Sequence, residues 1–221
     1  MERGAGRQFR LRISKEARLD LKWWNSLLAL APERSIQKIK RHNIYLWSDA
    51  SRTKGPGAYF TTADRARTEV GTSQGSSIAV SHPIPGAAFS ISLPRFINRN
   101  NEHINTKEMR AVEQALLHWG KSCRGVKVIM HIDNRAVAYA ITNQTIRGAT
   151  RSVLRHCLLL AAKYDLEIET QWIATKDNSL ADALSRFDFD KITNLTPQLL
   201  LPTSTLRDRG FLIYNRQASR P

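Results

Sequence analysis

The chain holds only two cysteines in 221 residues, Cys123 and Cys157. They form neither a disulfide framework nor a zinc-ligand pattern, so a disulfide scaffold and a zinc finger are excluded. Long apolar runs are also missing. The longest, Cys157 to Ala162, is far below the roughly 18 residues a membrane-spanning helix needs. Met1 to Arg18 is charged and has no apolar core of the kind a secretory signal carries. Its arginines faintly resemble a mitochondrial presequence, but Glu2 and Glu16 are out of place in one. Acids are the scarce charge: 19 Asp+Glu stand against 34 Lys+Arg, giving a formal net charge of +15. That excess points to a polyanionic partner, with nucleic acid ahead of an anionic membrane. Hydrophobic residues make up 42% and charged residues 24%, enough apolar material for a core and too much for disorder throughout.

The basic excess is uneven. Residues 1–42 hold 11 Lys+Arg against 4 acids, the densest positive charge in the chain. Ser14 can cap a helix from Lys15 to about Leu30, with Pro32 beyond its end. Leu21, Trp24 and Leu28 fall on one face of that helix and are expected to dock on the domain C-terminal to it. Ile44 to Trp47 predicts a buried strand ending in Ser48-Asp49-Ala50-Ser51. Gly55-Pro56-Gly57 predicts a turn, and Ala58-Tyr59-Phe60 a second strand. Thr61 to Ser77 reads as a loop, and Ala87 to Leu93 as a third strand. From there strands and helices alternate: helix Thr106–Gly120, strand Val126–Ile132, helix Arg135–Ile141, helix Gly148–Tyr164, strand Glu167–Ile173 and helix Ser179–Phe187. The spacing predicts an α/β domain over 43–187. Its first three strands form an antiparallel meander, and the later strand–helix–strand units pair in parallel. Residues 188–221, with Pro197 and Pro202, are expected to be a tail or linker.

Four acids lie at the ends of these elements: Asp49 after the first strand, Glu108 in the first turn of a helix, Asp133 after the fourth strand, and Asp182 in the last helix. Sites in open α/β sheets form at the carboxyl ends of strands. Clustered carboxylates repel and make sense only with cations between them. Oxygen ligands suit Mg²⁺ or Mn²⁺, and two such ions about 4 Å apart can activate a water and stabilise a phosphodiester's leaving oxygen. Each acid also has a plainer role. Asp49 could close an Asx turn, Glu108 could complete a capping box with Asn105-Thr106-Lys107, Asp133 could cap the next helix, and Asp182 could be a solvated charge.

The local strings add to the spacing. Trp47-Ser48-Asp49-Ala50-Ser51, Ile104-Asn105-Thr106-Lys107-Glu108-Met109-Arg110-Ala111-Val112, Ile132-Asp133-Asn134, Trp172-Ile173 and Asn178-Ser179-Leu180-Ala181-Asp182-Ala183-Leu184-Ser185-Arg186 occur in this order. Together they resemble the ribonuclease H domain of retroelement reverse transcriptases, nearest to the gypsy-type and DIRS-type elements, over roughly 43–187. The resemblance implies a ribonuclease H-like five-stranded mixed sheet flanked by helices, with the first three strands antiparallel. It implies cleavage of the RNA strand of RNA–DNA hybrids with two Mg²⁺ ions, for which Mn²⁺ can substitute. By motif, Asp49, Glu108, Asp133 and Asp182 match the family's catalytic, metal-binding acids. The His that many relatives carry before the last acid has no counterpart in Ala174-Thr175-Lys176-Asp177-Asn178, which implies slower or different turnover. Candidate backbone contacts to the nucleic acid are Ser51, Arg52, Asn105 and Asn134. Arg147, Arg151 and Arg155, four apart, are expected to form a phosphate-facing stripe on one helix.

The arm over Ile13–Leu28 resembles the segment joining polymerase to ribonuclease H in such elements. Residues 1–42 and 188–221 are therefore the expected contacts for a polymerase domain or protein complex, in nucleus or cytoplasm, with no membrane involved. Two other readings compete. One is a domesticated ribonuclease H-like module that binds nucleic acid or a complex without cutting. The other is a transposase or integrase, which usually places Glu rather than Asp on the last helix.

Overall fold

The apolar run at Ile44–Trp47 nucleates the centre of the sheet. β1 (Asn43–Ala50) has neighbours on both sides and its last five residues are buried. The computed structural model of the chain describes residues 12–30, 40–62, 88–92, 102–196, 199–200 and 211–216. β1 pairs antiparallel with β2 (Pro56–Thr62), and β2 pairs antiparallel with β3 (Ala88–Ile91). On its other side β1 pairs in parallel with β4 (Lys127–Ile132), which pairs in parallel with β5 (Glu167–Trp172). These five strands, three antiparallel and two parallel, are those the sequence predicts. Most of the expected loop over Thr61–Ser77 lies outside the described residues.

Helices cover both faces. α2 (Ile104–Trp119), α3 (Arg135–Thr142) and α4 (Thr150–Lys163) close one core around Leu46, Phe89, Met109, Met130 and Leu154. α5 (Ser179–Arg186) and α6 (Phe189–Leu195) close the other around Trp47, Tyr59, Leu180, Leu184 and Ile192. The strand period decides this division: Leu46 faces one layer and Trp47 the other. Each fully buried Leu or Ile in these layers contributes about 1.5–3 kcal/mol.

Two expectations differ from the structure. Residues 188–221 read as a tail, yet α6 buries Ile192 completely, and β6 (Leu199–Leu200) and β7 (Phe211–Arg216) extend the sheet beyond β3. Asp188 starts α6 by accepting a hydrogen bond from the Lys191 amide at 3.0 Å. The prolines that suggested a tail, Pro197 and Pro202, lie between these short elements.

α1 (Lys15–Leu30) forms where Ser14 predicts, with the Ser14 hydroxyl accepting from the Ala17 amide at 3.1 Å. It docks on α4 by a different face from the expected one. Trp23 donates its indole N–H to the Arg155 carbonyl at 2.9 Å, and Asp20 pairs with the Arg155 guanidinium. These polar contacts turn the Asp20–Trp23–Leu27 side inward. Trp24 and Leu28 of the expected stripe stay 53% and 72% exposed.

β2 meets α5 at Gly57, which pairs with Asp49 in the β1–β2 register. A Cβ there would stand 2.3 Å from the Ser185 backbone nitrogen and 2.6 Å from the Leu184 carbonyl carbon. Backbone cannot yield as a side-chain tip can. Gly57→Ala is therefore expected to destabilise the chain by about 1–3 kcal/mol or more, read as a lower urea midpoint; an unchanged midpoint would show that α5 does not pack this closely.

Candidate active site

The parallel β1–β4 register pairs Asn43 with Lys127 and Trp47 with His131. Continued two residues further, it sets Asp49 level with Asp133 at the carboxyl ends of neighbouring strands, where an open α/β sheet presents its ligands. Glu108 reaches the same rim from α2. One carboxylate oxygen of each of Asp49, Glu108 and Asp133 lies within 4.8 Å of the other two. Asp49 and Glu108 are buried, and Asp133 is half-buried.

Neighbouring residues have taken the plainer roles these acids could have filled. Ser51, not Asp49, forms the turn after β1: its amide donates to the Gly55 carbonyl at 2.9 Å and its hydroxyl accepts from the Lys54 amide at 3.2 Å. Asn134, not Asp133, caps α3, accepting from the Ala136 and Val137 amides at 3.1 and 3.2 Å. α2 starts at Ile104, two residues before the expected Thr106, and is capped by His103, whose Nδ1 accepts from the Asn105 amide at 3.2 Å. The earlier start moves Glu108 past the capping-box position and onto the rim.

Burial and repulsion shape the cluster. Burial pushes the Asp49 carboxyl up to about 6; the Ser185 hydroxyl, which donates to it, pulls the other way, and Asp133 and Asp182 add to the rise. Glu108 is raised well above the usual carboxylate range by burial, then by Asp49 and Asp133. Its Oε2 is buried without a hydrogen-bond partner among the described residues. Three carboxylates, one with an orphaned oxygen, are a donor set that a hard divalent cation fits.

Asp182 stands apart from these three. It lies near enough to raise both Asp49 and Glu108, but its carboxylate is held by Arg186, one helical turn on, and by Lys191 of α6 at 3.1 Å. Ser185 links the two parts, donating to Asp49 and to the Asp182 carbonyl. The loop before α5 is pinned by fully buried Asn178, whose side-chain amide donates to the Ser48 carbonyl at 3.0 Å.

The candidate nucleic-acid contacts divide. Asn134 donates to the Asn105 side chain at 3.0 Å, so these two form one unit beside the acids. Ser51 is buried in its turn. Arg52 is exposed, and its carbonyl accepts from the Lys107 ammonium at 2.6 Å. The expected arginine stripe does not form. Gly148, at φ 70°, interrupts the chain so that α4 begins at Thr150 and Arg147 lies outside it. Arg151 donates to the Ile146 carbonyl at 3.1 Å, and Arg155 is paired with Asp20. Lys107, Ser185 and Lys191 escape notice in the sequence. Only Ser185, three residues after Asp182 on the same helix face, carried a spacing signal.

No protein-family model and no curated protein matches the sequence. Among solved structures, the chain is similar to the N-terminal RNase H domain of Rv2228c from Mycobacterium tuberculosis, at 17% identity over 66% of this chain and 97% of that one, with a TM-score of 0.47. It is also similar to RNase H1 from the halophilic archaeon Halobacterium salinarum, at 15% identity over 68% and 98%, TM-score 0.47. A third is LC11-RNase H1 in complex with RNA/DNA hybrid, at 15% identity over 67% and 97%, TM-score 0.44.

The raised Asp49 carboxyl has a defined stability signature. Its folded value of about 6 lies above the ordinary value of 3.8. Between those two, the folded state holds a proton that the unfolded chain has lost, so rising pH strips it and leaves a buried anion within the acid cluster. In EDTA, stability is expected to fall as pH rises from about 4 to 6. Asp49→Asn should remove part of that slope and gain on the order of 1–3 kcal/mol at neutral pH. Urea melts of both proteins across this range check it; parallel curves would contradict it.

Proposed function

We propose that the chain is a divalent-metal-dependent ribonuclease H that cleaves the RNA strand of RNA–DNA hybrids. The observation that carries this reading is the meeting of Asp49, Glu108 and Asp133, distant in sequence, within 4.8 Å at the carboxyl ends of two parallel strands. The strongly basic composition supports a polyanionic substrate. The ordered strings through Asn178–Arg186 favour a retroelement-type origin, with residues 1–42 and 188–221 as the parts that would meet a polymerase domain or complex, in nucleus or cytoplasm.

Asp49, Glu108 and Asp133 would hold one Mg²⁺ or Mn²⁺, and Asp49 with Asp182 a second. The ions, when bound, would polarise an attacking water and neutralise charge on the phosphodiester's leaving oxygen. Ser185 fixes the orientation of Asp49 by donating to it. The Asn105–Asn134 pair, hydrogen-bonded beside the cluster, would touch the sugar–phosphate edge, where 2′-hydroxyls distinguish RNA from DNA. Lys107 fixes the path of the Ser51–Gly55 turn by donating to the Arg52 carbonyl, and the exposed Arg52 side chain would meet a phosphate of the substrate. For Asp182 to hold an ion, its pairs with Arg186 and Lys191 must open.

Those two pairs also favour a second reading, a non-catalytic module that binds nucleic acid with Asp182 permanently neutralised. Hybrid cleavage in Mg²⁺ separates the two. The nuclease should cut the RNA strand, leaving 3′-hydroxyl and 5′-phosphate ends. Asp49→Asn and Asp133→Asn should each lower the rate by about 10²–10³-fold, the scale seen when one charge-stabilising group is removed. A wild-type chain that binds hybrid without cutting it, or variants that cut as well as wild type, would remove the assignment.

A further inference from the structure

Beside the acid cluster, α3 and β5 enclose a shallow groove of about 300 Å³ lined by Arg135, Ala138, Tyr139, Thr142, Thr170 and Trp172. Its character differs from that of the cluster. Trp172 ends edge strand β5 and is 47% exposed, and Tyr139 on α3 is 65% exposed. Two large aromatic side chains this open on one groove form a patch of the kind that marks an interaction site. The Arg135 guanidinium lies over one face of the Trp172 ring, 4.2 Å from its centre, so a positive charge is stacked on the aromatic within the groove. The floor is polar but satisfied: the Thr142 and Thr170 hydroxyls bond to each other, and Thr170 donates to the Ala138 carbonyl at 3.0 Å.

The groove is built into the cluster's own backbone. The Trp172 indole N–H donates to the Asp133 carbonyl at 2.9 Å, so the ring is fixed by the residue whose side chain completes the acid triad. Arg135 is two residues beyond Asp133, at the start of α3. A strand that runs from the acids toward α3 would therefore meet Arg135 and Trp172. Aromatic faces interleaved with arginine seat unpaired nucleotides: the base stacks on the ring and the phosphate meets the guanidinium. A paired base within a duplex offers no free face to stack.

We propose that this groove seats one unpaired nucleotide of the strand running past the acids, its base against Trp172 and Tyr139 and its phosphate on Arg135. The chain thereby favours hybrids that end in a single-stranded extension over blunt ones. This rests on the nuclease reading for the identity of the strand, and the test keeps the two separable.

The probe is a fluorescein-labelled RNA–DNA hybrid, blunt or carrying a short single-stranded extension, titrated by anisotropy with the full 221-residue chain bearing Asp49→Asn to prevent cleavage. The extended hybrid should bind about tenfold tighter than the blunt one, the scale of one stacked base. Trp172→Ala should erase that preference, and Trp172→Phe should keep part of it. Tyr139→Ala, at an exposed position that folding does not need, should lower the preference independently of any disturbance at Asp133. Arg135→Ala should reduce the salt slope by about one for the extended hybrid only. Equal affinity for the two hybrids, or a preference that survives both Trp172→Ala and Tyr139→Ala, would overturn the proposal. If the wild-type chain cuts no hybrid but the extension preference holds, only the nuclease reading fails.

Discussion

Three carboxyl groups held within 4.8 Å of one another, two of them buried, oppose one another's ionisation, and the metal-free chain must hold them there against that opposition. The hydrophobic layers supply the force. Leu180 and Leu184 press α5 onto the sheet, Met109 and Val112 press α2 onto its other face, and the β1–β4 ladder fixes Asp49 and Asp133 at one level. Each acid is the end of an element whose position is set elsewhere by apolar burial. Strain at the rim is therefore opposed by packing well away from it, and a divalent cation would turn the repulsion into attraction.

The residues next to the acids decide whether the acids are available. Ser51 takes the turn, Asn134 takes the helix cap and His103 takes the start of α2. Had Asp49, Asp133 or Glu108 been used for these jobs, its oxygens would be saturated by backbone amides. Glu108 Oε2 instead remains buried without a partner among the described residues. Asp182 is the contrasting case. Arg186 and Lys191 compensate its charge, so the fourth acid is balanced by the protein while the other three are not. Lys191 comes from α6, which couples the state of the rim to the C-terminal part of the chain.

The five-stranded core was legible in the sequence because its signals were local and repeated, above all the apolar runs at Ile44–Trp47 and Val126–Ile132; the turn expected at Gly55–Gly57 closes earlier, at Ser51–Gly55, and Pro56 and Gly57 already pair in β2. The convergence of Asp49, Glu108 and Asp133 was legible only as a consequence of strand order. What stayed hidden depends on three-dimensional partners. The arginine stripe fails because a left-handed Gly148 precedes α4, which starts only at Thr150 and leaves Arg147 outside it, and because Asp20, far away along the chain, claims Arg155. The docking face of α1 is set by Trp23 and Asp20 rather than by its strongest apolar stripe. β6 and β7 are short and take their pairing from the β3 edge, a long-range contact that no local pattern announces.

The central claim is that the Asp49, Glu108 and Asp133 side chains form a single cation site. Diffraction from crystals soaked in Mn²⁺, with data collected at the manganese absorption edge, locates the ion directly. An anomalous peak bounded by these three carboxylates is the result the account predicts. A map in which manganese binds only elsewhere on the protein, or nowhere, at concentrations that saturate ordinary carboxylate sites, would contradict it.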